Sequence, residues 1–338
     1  MKLAIKKGLG PTGMVWIILF CLVICLAFLT EDFLTPINLS NILLHSTVLG
    51  ILAIGETFCL LSGNFDLSVE STMAFAPAVV FILTAAAPRG LGLNIHPLIQ
   101  VILVLLAGVI VGLINGLLVV KVGINPFLVT LSMMIILRGA TLVLTKGLTI
   151  YNIHPVVRTI GGNNLAMGIC PYSIIYMVIL YLVSQLVLKR TRYGRDLITI
   201  GGNNEAAKAF GIKVESRVII AFIISGLLAA FAGLVMTARI NSVAASIGTG
   251  IGSMVFAAAA LGGVSLQGGI GSYWGVIGGV ILLGVIDNGL TLLHVSPFWT
   301  KIGSGIIIFI AIIVDATREK LKKRLDVKKR FTEGILQE

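Results

Sequence analysis

The run from Leu98 to Val120, LIQVILVLLAGVIVGLINGLLVV, holds no charged residue in 23 positions. A helix needs about 20 predominantly apolar residues to cross the hydrocarbon core of a bilayer, so this run alone can span one. Comparable runs occur at 13–30, 41–61, 67–87, 126–145, 172–188, 218–238, 251–263, 272–293 and 298–315, which makes ten candidate helices. The whole chain agrees with this reading: of 338 residues 57% are hydrophobic and 12% charged, and the mean hydropathy is +1.06. Soluble proteins carry about 25% charged residues, and too few polar groups are present here to cover a soluble globule of this length. A soluble enzyme, a secreted disulfide-stapled domain and a disordered tail are excluded. The expected fold class is all-α: a polytopic membrane protein of about ten spans, forming a single transmembrane domain over 1–338.

Lysine and arginine give the expected orientation. With the N-terminus in the cytoplasm, residues 1–12, Lys121, 189–217 and 316–338 are internal and hold 19 of the 25 basic residues. The outer loops then hold Arg89, Lys146 and Arg158, while Arg138, Arg239 and Lys301 lie in or at the ends of spans. This asymmetry is the positive-inside pattern. It puts both termini in the cytoplasm and makes the number of spans even. The first run follows Lys2, Lys6 and Lys7 without a small-residue cleavage site, and reads as a retained anchor. The net charge of +11 is concentrated in the tail from Arg318 to Arg330, where it suits a juxtamembrane patch facing anionic lipid. No aromatic interleaving accompanies it, and a nucleic-acid partner is discarded. Cys21, Cys25, Cys59 and Cys170 lack metal or disulfide spacing.

Two pieces of sequence echo each other. Ser62-Gly63-Asn64-Phe65-Asp66-Leu67-Ser68 resembles Gly262-Gly263-Val264-Ser265-Leu266 with Gln267-Gly268-Gly269, and Asn115-Gly116-Leu117 with Pro126-Phe127 resembles Asn288-Gly289-Leu290 with Pro297-Phe298. Internal repeats in polytopic chains are a mark of transporters. Backbone that leaves the helix at membrane depth must be buried in protein or line a polar cavity, so the Gly-rich stretches 62–71 and 262–272 are expected to be broken or re-entrant segments. Within the long internal loop 189–217, Asn203-Asn204 can cap a short helix over Glu205-Ala206-Ala207-Lys208-Ala209-Phe210, with Gly211 to end it. An amphipathic helix with an exposed Phe210 suits docking into another protein's groove.

Gly201-Gly202-Asn203-Asn204-Glu205-Ala206-Ala207 followed by Gly211-Ile212 resembles the Glu-Ala-Ala coupling loop of bacterial ABC importer permeases. Ser62 to Val69, Asn115-Gly116, Pro126 to Leu131, Arg138-Gly139, Ala238-Arg239 with Asn241-Ser242, Leu261 to Gly269, Asn288-Gly289-Leu290 and Val295-Ser296 with Phe298 are similar to the motifs of one branch, the monosaccharide (ribose-type) permeases. The resemblance runs from about 40 to 315. It implies a membrane subunit of the bacterial inner membrane, working as a homodimer or with a sister permease. Two ABC ATPase subunits would dock under 189–217, where Asn204, Glu205, Ala206, Ala207, Phe210 and Gly211 carry the coupling. An extracytoplasmic sugar-binding protein would deliver solute, and alternating access would move it. The chain departs from the pattern at Glu70, where the family usually has Gly, at Asp287, and at Gly252-Ser253-Met254-Val255, where an acidic stretch is common. These departures leave open whether the solute is neutral, amino-bearing or cationic.

No lysine is followed by Ser or Thr, so a Walker A loop is absent. The chain itself is expected to be neither an enzyme nor the holder of a cofactor or metal. Ionisable residues inside spans are functional candidates because burying them is costly unless they are paired or wetted. Glu56, Asp66, Glu70, Arg138, Asp287 and Lys301 qualify, and Glu56, Asp66, Arg138, Asp287 and its neighbour Asn288 are the expected substrate pathway, with Arg138 alternatively a structural cation paired to Glu56 or Asp287. Two other classes compete with the importer. An ion- or proton-coupled secondary transporter would use Glu56 and Asp287. A polytopic membrane enzyme would need a nucleophile–base pair or metal cluster, and the sequence offers no convincing one.

Overall fold

The computed structural model describes residues 11–85, 90–151, 153–162, 164–165 and 170–296, together with 298–299, 302–303, 305–306, 309 and 313. Three helices open on the same device, a side-chain cap followed by a proline whose missing N–H costs nothing at the first helical position. These are α2 (Pro36–Leu61), α4 (Pro97–Val120) and α5 (Pro126–Thr145), capped by Thr35, His96 and Asn125. With α1 (Pro11–Leu29), α7 (Tyr172–Arg190), α10 (Val214–Ile240) and α12 (Tyr273–Leu292), seven described helices are long and apolar enough to cross a membrane. Two shorter apolar helices complete the set, α3 (Val69–Thr84) and α11 (Ile251–Leu261). Nine of the ten expected spans therefore have a counterpart. The tenth, 298–315, falls largely outside the described residues, as does the basic tail 316–338.

The bundle is organised around α10, which packs chiefly on α4, α2 and α3. In lipid there is little hydrophobic drive between helices, so association depends on close backbone approach. The α4–α10 seam provides it: a Cβ added at Gly112 would lie 2.2 Å from the Phe222 carbonyl oxygen, and one at Gly226 2.2 Å from that of Gly108. Any larger residue forces the two axes apart.

The expected interruptions are present. After Leu61 the chain leaves the helix and turns back into the bundle before α3 begins at Val69. After Leu261 it does the same until Tyr273. The two echoed segments meet: the Gly269 N–H donates to the Leu61 carbonyl (3.0 Å), and a Cβ at Gly268 would lie 2.8 Å from the Gly63 nitrogen. At the other end of the bundle, β1 (Ile150–Tyr151) pairs antiparallel with β4 (Ser242–Val243), Ile150 opposite Val243. A short helix α6 (Pro155–Gly162) follows, and a further two-residue pair joins β2 (Asn164–Leu165) to β3 (Cys170–Pro171). The Ile153 N–H donates to Asn241 Oδ1 (3.2 Å), tying this long loop to the connector between α10 and α11.

Candidate functional site

Residues 189–217 form two helices, α8 (Arg192–Gly202) and α9 (Asn204–Ala209). The expected short helix is α9, capped as anticipated by the Asn203 side chain, which accepts the Ala206 N–H at 3.0 Å. Gly211 follows with φ of 76°, the left-handed conformation that glycine adopts freely. Sequence reasoning missed α8, whose apolar residues Leu197 and Ile200 are buried while its charged face stays outside. A three-residue spacing of two apolar positions was the available signal.

The unit is fastened to the bundle on two sides. Arg217 of α10 donates from Nε to Asp196 Oδ2 (2.8 Å), and its guanidinium lies over the Tyr193 ring, 5.9 Å from the centroid. Burial pushes the Tyr193 phenol up, so it remains a donor, to the Arg217 carbonyl at 3.3 Å. On the other side, Gly201 and Gly202 lie backbone to backbone on both broken segments. A Cβ at Gly201 would sit 2.1 Å from the Leu61 oxygen and 2.4 Å from the Gly269 nitrogen. Ala207 is buried, Glu205 pairs with Lys208 (3.3 Å), and Phe210 is 82% exposed. An apolar ring displayed beside charges, on a unit rigidly joined to the bundle, is built to be gripped from outside. Lys121 pairs with Glu215 at the same end, so the basic residues assigned to one side by charge counting do share one end.

Above this end lies a buried polar network. Asp66 is 1% and Glu56 0% exposed. Asp66 Oδ1 accepts from the Ser68 hydroxyl (2.6 Å) and Ser68 N–H (3.1 Å), Oδ2 accepts from the Ser225 hydroxyl (2.7 Å), and its own N–H donates to Glu56 Oε1 (3.2 Å). Asn115 donates to the Ser68 oxygen at 2.9 Å. Four elements, α2, the 62–68 turn, α4 and α10, are thereby stitched together. Among the described residues no Lys, Arg or His forms an ion pair with either carboxylate.

The remaining predicted residues separate into two places. Arg138 pairs with Glu70 (3.5 Å), and with neither Glu56 nor Asp287; it also donates to the carbonyls of Ala245 and Ile247. Around that pair Ser246, Thr249 and Ser253 are exposed. Asn288 exchanges two hydrogen bonds with Asn38 (3.0 and 2.7 Å), and exposed Asp287 stands next to it, within electrostatic reach of His45. Glu56 lies near the end of α2 that touches α8, whereas Asp287 lies near the opposite end of the bundle on α12. The five expected pathway residues are thus not gathered into one site.

Residues 38–312 match the family model described as branched-chain amino acid transport system / permease component. The chain is 36% identical over 312 residues to the ribose import permease protein RbsC of Bacillus subtilis strain 168, covering 92% of this chain and 93% of that one. It is 35% identical over 320 residues to the L-arabinose transport system permease protein AraH of Escherichia coli K12 (92% and 94% covered), and 32% identical over 315 residues to the L-arabinose ABC transporter permease protein AraH of Azospirillum brasilense (93% and 89%). No solved structure matches. A polytopic helical bundle with two broken segments, a docked surface helix pair and a family match over most of its length is a transport permease, and the chain belongs to the family of branched-chain amino acid transport system permease components.

Proposed function

We propose that this chain is the membrane subunit of an ATP-driven importer that carries a simple sugar or a similar small hydroxyl-rich solute across the bacterial inner membrane by alternating access. The observation that carries the reading is the α8–α9 unit, which displays Phe210 to the outside and rests on both broken segments. Relatives named for ribose and arabinose, more than 30% identical over nearly the whole chain, support the solute class. Two ABC ATPase subunits grip α9, a soluble binding protein delivers the solute to the β1–α6 end, and a second permease copy or a sister permease completes the pathway. The α8–α9 end faces the cytoplasm, as do both termini. ATP closure moves α8–α9, and the movement passes through Gly201 and Gly202 to residues 61–64 and 268–269.

The test is co-purification with the cognate ATPase, wild type against Glu205→Arg/Phe210→Asp. Both positions are exposed, so the fold should survive. Stable capture by the wild type, reduced at least about tenfold in the double variant, is the expected result, a loss of about 1.4 kcal/mol or more. Failure of folded, monodisperse wild-type protein to capture the ATPase would overturn the importer reading.

A further inference from the structure

The N-terminus of a half-helix at mid-depth exposes unpaired N–H groups and the positive end of the dipole, and in transporters such ends hold anionic groups. With 11 residues, α11 rises about 16 Å, roughly half a hydrocarbon core. Its C-terminal end meets the Gly-rich floor beside Leu61, so it begins near the middle. That beginning is filled from within the chain. Glu70 Oε2 accepts the N–H groups of Gly250 (3.1 Å) and Gly252 (3.2 Å), while Oε1 faces the Arg138 guanidinium. Arg138 holds the carbonyl side of the same connector through Ala245 and Ile247. One carboxylate, one guanidinium and one helix terminus balance, and the groups exposed around them are the hydroxyl-bearing Ser246, Thr249 and Ser253. Polar groups exposed at this depth need a water-filled path or another protein surface.

We propose that Glu70 sets the charge selectivity of the pathway. Its carboxylate occupies the anion-attracting start of α11 and, balanced by Arg138, leaves a neutral, hydroxyl-lined face suited to an uncharged polyhydroxylated solute. The carboxylate is not the mark of a cationic solute, because its charge is already engaged by Arg138 and two backbone donors. The proposal rests on the importer reading for its physiological meaning. Its charge logic is a property of the chain alone, so a failed ATPase capture and a failure here are separate results.

The test is thermal unfolding of the full-length chain in detergent with glucose, gluconate (a sugar carboxylate) or glucosamine (a sugar cation). Wild type is expected to respond no more to either charged sugar than to glucose. Glu70→Gln uncovers a positive site, and gluconate should then raise the midpoint by about 3 °C or more. Arg138→Gln leaves the carboxylate unbalanced and should respond to glucosamine instead. The double variant should return to indifference. A folded Glu70→Gln that ignores gluconate overturns the proposal, as does stabilisation of wild type by glucosamine. Should Glu70→Gln fail to fold, Arg138→Gln decides by the opposite sign: indifference to glucosamine is then the overturning result.

Discussion

The carboxylate of Asp66 accepts two hydroxyls and a backbone N–H in a site closed to solvent. Hydrogen bonds to a charged group contribute about 1.5–3 kcal/mol each, and removing one partner strands the others. Asp66→Ala should therefore cost about 3–5 kcal/mol of stability, read as a lowered unfolding midpoint in detergent, whereas Ser225→Ala should cost about 1–2 kcal/mol. Equal, small effects would mean that water replaces the network. The sequence singled out Asp66 because it interrupts an apolar run inside a Gly-rich motif. It gave no hint of Ser225, 159 residues away, since a lone hydroxyl within an apolar helix is unremarkable. The partner of Arg138 was misjudged for a related reason. Charge complementarity names candidate partners, but Glu70, Glu56 and Asp287 all carry the same charge, and only the fold decides which one the guanidinium reaches.

Single elements were legible wherever their signal was local. Proline with a preceding cap marks the starts of α2, α4 and α5 to within a few residues of the apolar runs, and Asn203 marks α9. The helix α8 escaped because its apolar face is narrow and its composition is that of a solvated loop. The α4–α10 seam offers a test at this scale. Gly112→Val would put side-chain atoms into the Phe222 backbone, while Gly139, on α5, has open space where its Cβ would be. The first substitution should lower the unfolding midpoint or the yield of folded protein, with overpacking costing about 1–3 kcal/mol or more. Gly139→Val should leave both within experimental scatter. Similar behaviour of the two would place the helices further apart than described.

The whole molecule is asymmetric in charge along its bundle axis, and that asymmetry gave the orientation its only sequence-level argument. Asp32, between α1 and α2, and Lys208, on α9, lie at opposite ends and are both exposed. In a background lacking the native cysteines, Asp32→Cys should react with a membrane-impermeant maleimide in intact cells. Lys208→Cys should react only after the inner membrane is permeabilised. The reverse pattern would invert the topology and remove α9 from any cytoplasmic ATPase.

At the joint between Gly201, Gly63 and Gly268, bare main chain presses on bare main chain. Side chains ordinarily absorb small displacements by changing rotamer, and this joint has none to change. It works as a gear with no backlash: an ångström imposed on α8 is delivered to the re-entrant turns without loss. Because it shares no residue with the hydroxyl-lined face at the start of α11, the drive train and the cargo bay of this machine can be altered independently.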